Sequence, residues 1–228
     1  MITFKSVSKR YPNGVAALDQ LDLFIGREEF VYLIGESGAG KSTLLKLLFR
    51  TELPNSGDIL IDNFCLNRLQ AKQVPLLRRH VGMIFQDYQL LPRRTVYENI
   101  SFALMAMRFP ARQIRRRVLH VLELVGLSDK LQYLPKELSG GEQQKICIAR
   151  AIVNNPPILL CDEPTGNLDP DTSWEIVQLL TKINEFRKTT VLMATHDTDI
   201  VDGIPKRVVE IQKGRIVRDE ALGGYIES

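Results

Sequence analysis

Along the first sixty residues apolar and polar positions alternate in short runs, the period expected of strands buried on one face. ITFKSV at 2–7, LDLFI at 21–25 and ILI at 59–61 carry this pattern, with Pro12-Asn13-Gly14 and Asn55-Ser56-Gly57 between them as turns. FVYLI at 30–34 differs in being apolar without a break, which suits a strand covered on both faces in a parallel sheet flanked by helices. VGMIF at 81–85, PILLC at 157–161 and TVLMAT at 190–195 repeat that texture, and together they predict an α/β core. Between the first and second of these the period changes, and residues from about 87 to 155 read as helical. Ile114, Val118, Val121, Leu122 and Val125 recur at three- and four-residue steps, on one helix face. RVVEIQKGRIVRDE at 207–220 predicts a hairpin turning at Lys213-Gly214, and GGYIES at 223–228 a loose tail.

A length of 228 residues suits one compact unit. Apolar residues at 44% and charged residues at 25% are those of a globular protein, which excludes disorder or a coiled coil for the chain as a whole. The balance of 30 basic against 27 acidic residues leaves +3, too little for a protein that wraps nucleic acid, so no nucleic-acid partner is expected and anion binding must be local. No run approaches the roughly 18 to 20 apolar residues of a membrane span, and MITFKSVSKRY alternates like a strand instead of forming a signal peptide. Ile2 and the ending YIES match neither myristoylation nor prenylation patterns. Cys65, Cys147 and Cys161 lack metal-ligand spacing and are odd in number, which fits reduced, buried thiols in a cytoplasm. Arg112, Arg115, Arg116 and Arg117 crowd one helix start, either as a solvated face or as a docking surface for an anionic or membrane-bound partner.

Directly after FVYLI comes GESGAGKS, Gly35 to Ser42, followed by TLLKLLFR with Leu44, Leu45, Leu47 and Leu48 on a helix. This strand, glycine-rich loop and helix is the P-loop arrangement. The loop lets the backbone N–H groups of Gly35, Glu36, Ser37, Gly38, Ala39 and Gly40 converge on a phosphate, at a helix N-terminus whose dipole adds attraction. Lys41 supplies positive charge for the β and γ phosphates, and the Ser42 hydroxyl suits Mg²⁺. Phosphoryl transfer to water also needs a held metal and an oriented nucleophile. ILLCDE provides Asp162 as a Mg²⁺ partner and Glu163 as a candidate general base at a strand tip, and His196 follows the next strand toward the same edge. A second helix start, LSGGEQQ at 138–144, has Ser139 and Glu142 spaced as a capping box, while Gly140 and Gly141 allow close backbone approach to a ligand.

GESGAGKS, Gln86 after its strand, LSGGEQ, ILLCDEP, the NLD at 167–169 and His196 stand in the order and spacing of the ATP-binding cassette (ABC) ATPases, which the chain resembles over essentially its whole length. The resemblance implies a P-loop NTPase, RecA-like core with an antiparallel β subdomain and an inserted α-helical signature subdomain. The core would span about 1–86 and 156–222 and the helical subdomain about 87–155. It implies ATP and Mg²⁺ as ligands and a homodimer formed on ATP binding, each P-loop closed by the other copy's LSGGEQ. Position by position, it assigns Tyr11 to adenine stacking, and Lys41, Ser42 and Thr43 to phosphates and metal. Gln86 goes to Mg²⁺ and the attacking water, Asp162 to Mg²⁺, Glu163 to polarising the water and His196 to the γ phosphate. Ser139, Gly140, Gly141 and Glu142 go to the partner's ATP and Asp169 to the dimer seam.

Within the family, QVPLLRRHVGMIFQDYQLLPRRTVYENI, LSGGEQQKICIARAIV, and PTGNLD followed by TVLMATHD are most similar to the bacterial cell-division cassettes, with Lys145, Cys147 and Cys161 as small departures. That likeness implies the integral membrane protein FtsX as partner. It also implies a peripheral place on the cytoplasmic side of the cell membrane, and coupling of ATP hydrolysis to activation of septal cell-wall hydrolases. A partner helix would then dock near Arg93, Arg94 and residues 112–117. The alternative is the ATPase subunit of a lipoprotein- or macrolide-exporter type transporter.

Overall fold

The computed structural model describes residues 1–224. β1 (Ile2–Arg10) and β2 (Ala16–Ile25) form an antiparallel hairpin, and β3 (Phe30–Ile34) leads through a loop into α1 (Lys41–Leu48). β4 (Ser56–Ile61) and β5 (Phe64–Cys65) complete a four-stranded antiparallel sheet in the order β2-β1-β4-β5. After α2 (Val74–His80) and β6 (Val81–Ile84), the chain runs through α3 (Val96–Ala106), α4 (Ala111–Leu124) and α5 (Gly140–Ile152) before β7 (Ile158–Asp162). It ends with α6 (Pro170–Arg187), β8 (Thr190–Ala194), α7 (Thr198–Gly203), β9 (Lys206–Gln212) and β10 (Arg215–Gly223). The second sheet has the order β10-β9-β3-β8-β7-β6, parallel throughout except for β10.

The unbroken apolar runs are explained by two cores, one on each face of this sheet. In β3, Phe30, Tyr32 and Ile34 face a core shared with α3, α4, α5 and α6, whereas Val31 and Leu33 face a second core shared with α1 and the antiparallel sheet. β7 and β8 divide in the same way, with Leu159, Cys161, Val191 and Met193 on the helical side and Ile158, Leu160, Leu192 and Ala194 on the other. Each fully buried aliphatic side chain here contributes roughly 1.5–3 kcal/mol relative to exposure. Parallel pairing also brings the carboxyl ends of β3, β6, β7 and β8 to one edge, where their following loops meet.

Local signals explain the element ends. Thr95 caps α3 by accepting from the Glu98 N–H at 3.2 Å, while Glu98 accepts from the Thr95 N–H at 2.8 Å. Lys213 and Gly214, at φ 48° and 78°, make the tight β9–β10 turn expected from their sequence. Two expectations change. Asn55-Ser56-Gly57 is not a turn: β4 begins at Ser56, and the register slips between Ser8↔Ser56 and Lys5↔Asp58 to make a bulge. Gly57 takes φ 81° there because a Cβ would stand 2.4 Å from the Ser6 carbonyl oxygen. The tail expected from Gly223 onward is shortened, since Gly223 still pairs with Lys206; Tyr225 to Ser228 lie outside the described residues. Among the described residues, no helix is long and apolar enough to cross a membrane.

Candidate active site

The loop after β3 holds Gly35 at φ 135° and Gly40 at φ 118°, conformations that L side chains avoid. A Cβ at Gly35 would lie 2.1 Å from the Ile211 carbonyl oxygen, so the loop can curl against β9 only without a side chain. Lys41 opens α1 with only 5% of its surface exposed. Its Nζ donates to the Gly35 carbonyl at 2.6 Å and to the Glu36 carbonyl at 3.1 Å, so the ammonium is folded inside the loop. Burial lowers its pKa, with the nearby Glu163 and Asp162 charges opposing that shift. Thr43 Oγ1 stands 3.2 Å from the Tyr11 hydroxyl, and Lys9 Nζ is 5.1 Å from the centre of the Tyr11 ring, which places this aromatic beside the loop.

Asp162 ends β7, and its Oδ1 accepts from Ser42 Oγ at 2.8 Å. Burial raises the Asp162 pKa; the Ser42 hydrogen bond opposes this and the adjacent Glu163 adds to it. The folded chain therefore holds this proton more tightly than the unfolded chain. Stability is lost as pH rises from the unfolded toward the folded pKa, and the ionised carboxylate is a cost above it. Asp162→Asn is accordingly expected to raise the melting temperature of the nucleotide-free chain at neutral pH, with the gain shrinking as the solution is acidified. An unchanged or lower melting temperature at neutral pH would count against that electrostatic account.

Glu163 occupies the left-handed region at φ 47°, fixed by its N–H donating to the Ala194 carbonyl at 3.0 Å and its own carbonyl accepting from Gly166 at 3.2 Å. Such a conformation in a non-glycine residue costs on the order of 1 kcal/mol or more, and the surrounding hydrogen bonds enforce it. It aims the side chain so that Oε2 lies 3.4 Å from Nδ1 of the more exposed His196. Gln86 lies two positions past β6, exposed, on the same carboxyl edge because Ile84 is in register with Cys161.

Ser139 caps α5, its Oγ accepting from the Glu142 N–H at 3.2 Å while Glu142 Oε2 accepts from the Ser139 N–H at 2.9 Å. Lys130 lies 3.4 Å from Glu142, and the Ser139 N–H hydrogen bond, ahead of that charge, lowers the Glu142 pKa. Asp169 caps α6 through the Thr172 N–H at 3.0 Å, and its pKa falls through hydrogen bonding to Thr172. Gly141 has a reason within its own chain: a Cβ there would meet Thr172 Cγ2 at 2.4 Å. Among the described residues, no hydrogen bond or ion pair joins 138–144 to the loop at 35–43.

A glycine-rich loop folded around a buried lysine, two carboxylates and a histidine on one edge, with a second glycine-rich helix start apart from them, can be compared with known proteins. A sequence model of the ABC transporter family matches residues 18–166. The chain belongs to the ABC transporter family. It is 52% identical over 225 residues to the cell division ATP-binding protein FtsE of Bacillus subtilis, covering 99% of this chain and 98% of that one. It is 53% identical over 226 residues to the protein of the same name from Mycobacterium tuberculosis, covering 99% and 98%. Among solved structures it resembles the ATP-binding cassette MJ0796, seen as a dimer in a post-hydrolysis state with ADP and Pi, with a TM-score of 0.88 and 36% identity over 99% of this chain and 100% of that one. The chain is thus an ABC-type ATPase, which binds and hydrolyses ATP.

Two features of this ABC cassette were not legible in its sequence. The segment after Gln86 is clasped to α5: Arg150 donates to the Gln89 carbonyl at 2.7 Å and the Tyr88 carbonyl at 3.0 Å, and Cys147 Sγ donates to the Tyr88 carbonyl at 3.0 Å. Burial pushes the Cys147 thiol up to about 12, so it acts as a donor and not as a nucleophile. The only signal was that Cys147 and Arg150 lie three apart on one helix face. Beside the clasp is a groove of about 540 Å³ whose apolar wall includes Phe49, Phe85, Phe102 and Met107, with Arg78 and Arg150 at its polar side. Neither Arg93 nor Arg94 lines it, and Arg94 is paired with Glu98 at 2.8 Å.

Proposed function

We propose that the chain is the ATP-hydrolysing subunit of a bacterial cell-division complex, working as a homodimer that forms on ATP binding. It would be held at the cytoplasmic side of the cell membrane by FtsX, and would couple hydrolysis through FtsX to activation of septal cell-wall hydrolases. The observation that carries the catalytic reading is the convergence of the buried Lys41, the Ser42–Asp162 pair and the Glu163–His196 pair on one sheet edge. The near-full-length likeness to FtsE proteins supports the cell-division assignment over an exporter.

In this reading, Gly35, Glu36, Ser37, Gly38, Ala39 and Gly40 present N–H groups to the phosphates, and Lys41 exchanges its loop carbonyls for β and γ oxygens. Thr43 supports the phosphates, and Tyr11 beside it stacks on adenine. Ser42, Asp162 and Gln86 are oxygen donors that fit Mg²⁺, and the 2.8 Å approach of Ser42 to Asp162 already gathers two of them. Bound there, the ion would neutralise charge on the phosphates. Glu163 takes the proton of the attacking water, with His196 placed for the γ phosphate and Gln86 for the water. Ser139, Gly140, Gly141 and Glu142 of each copy close over the other copy's ATP, with Asp169 at the seam, and residues 87–155 act as the signature-bearing helical subdomain. A cytoplasmic helix of FtsX would fill the apolar groove beside the Arg150 clasp, so that its movement reaches Gln86 and the signature helix together.

Thr95 and Ser139 make the same capping box, so each replaced by Ala should lower stability by about 1 kcal/mol. Only Ser139→Ala should also weaken ATP-driven dimerisation. Equal effects of both on dimerisation would remove Ser139 from the ATP contact. The partner assignment is tested by co-expression with FtsX, which should move the chain into the membrane fraction. A chain that stays out of that fraction with FtsX present contradicts it.

A further inference from the structure

Helix α4 turns Ile114, Val118, Val121 and Leu122 into the core and leaves Arg112, Arg115, Arg116, Leu119 and His120 on its exposed stripe. Arg112, Arg115 and Arg116 take part in no ion pair or hydrogen bond among the described residues. Arg117 alone is occupied, stacked 4.7 Å from the centre of the Phe109 ring and donating to the Val153 carbonyl at 3.5 Å. Glu123 is the one acidic residue of the helix. It stands two turns beyond Arg116, about 11 Å along the axis, too far for a direct pair.

This placement works against the helix itself. The first turn of a helix carries partial positive charge and is stabilised by acids, yet α4 has no acid there and places Arg112 in it, with three further arginines in the next turn. Neighbouring like charges add repulsion at three- and four-residue spacings. Packing of Ile114, Val118, Val121 and Leu122 holds the helix in place despite these costs, and leaves an unpaired basic stripe complementary to an anion that several arginines can face at once.

The location narrows its source. Asn154 lines the apolar groove assigned above to a membrane partner, while its neighbours Val153 and Asn155 line a depression of about 510 Å³ walled by Arg116, Arg117 and His120. One turn of chain therefore separates the two surfaces. Leu119 is 41% exposed in the middle of the basic stripe, an apolar contact set among charges.

We propose that the α4 stripe is a membrane contact that binds anionic phospholipid headgroups of the inner leaflet, independently of the protein partner. Guanidinium groups pair with phosphates by two parallel hydrogen bonds, and a leaflet surface offers many phosphates in one plane. The orientation of this contact rests on the groove facing the membrane, as in the proposed function, but the lipid affinity does not.

The test is co-sedimentation of the full-length chain, without FtsX, with phosphatidylcholine vesicles and with vesicles containing phosphatidylglycerol. Binding is expected to the anionic vesicles only and to fade at high salt. Arg112→Glu/Arg115→Glu/Arg116→Glu together should weaken it by on the order of 10²-fold with basal ATPase activity unchanged. Equal binding to both vesicle types, no binding, or a triple variant that binds as well as the parent overturns the proposal. So does a chain that ignores vesicles but binds an acidic peptide through α4. Recruitment by FtsX is scored separately, so a chain that follows FtsX yet ignores anionic vesicles sinks the lipid contact and leaves the partner assignment standing.

Discussion

Glu163→Gln is expected to bind ATP at least as well as the parent chain and to hydrolyse it at least ~10²-fold more slowly, accumulating in the ATP-bound state. The amide keeps the shape of the carboxylate, and the bonds that set the backbone are main-chain: Glu163 N–H to the Ala194 carbonyl and Gly166 N–H to the Glu163 carbonyl. The left-handed φ of 47° therefore persists, and so does the fold around it. What disappears is a group able to take a proton from water, together with a negative charge that would repel the γ phosphate. The first loss slows the chemical step and the second favours bound ATP, so both changes push toward a trapped complex. Phosphate release in a single turnover, measured beside nucleotide retention, checks this. Release at the parent rate would remove Glu163 from the role of base.

Lys41→Ala should act earlier, at binding. A charge-assisted hydrogen bond is worth about 1.5–3 kcal/mol, so losing the ammonium from the phosphate loop should raise the dissociation constant by on the order of 10²-fold. The nucleotide-free chain should not be less stable for it. Burial lowers the pKa of Lys41, so the fold holds the charged form at a cost, and removing that cost offsets the loss of the hydrogen bonds to the Gly35 and Glu36 carbonyls. The expected result is therefore split: nucleotide affinity collapses while the melting temperature without nucleotide holds or rises. Titration with a fluorescent ATP analogue and a thermal melt read the two halves. Unchanged affinity contradicts the P-loop assignment, and a large fall in the melting temperature would make Lys41 a structural residue first.

Much of this was legible because both signals are local. Five consecutive apolar residues at Phe30–Ile34 can be buried only between two layers, and the glycines and lysine that follow have few other uses at a strand-to-helix turn. The long α6 is not legible in the sequence, although Asp169 and Pro170 mark its start, because buried and polar residues mix along much of its length. Asn55-Ser56-Gly57 has turn composition but serves a bulge, since Gly57 is needed to pass the Ser6 carbonyl on a neighbouring strand, a contact invisible in one-dimensional sequence. The same holds for Arg150 and Cys147, whose partners lie about sixty positions earlier in the chain. Gly141 shows a third kind of limit. Its sequence context suggests close approach to a ligand, whereas the neighbour that excludes a side chain within this chain is Thr172, far from it in sequence.

If each ATP is held by two copies, with Lys41, Asp162 and Glu163 from one and Ser139 from the other, ATP binding must double the mass of the particle. The most direct test is the molar mass of Glu163→Gln by light scattering, with and without ATP and Mg²⁺. A monomer is expected without nucleotide and twice that mass with it, and no doubling when Ser139→Ala or Lys41→Ala is added. A Glu163→Gln chain that binds ATP yet keeps the mass of a single copy at every concentration would contradict it.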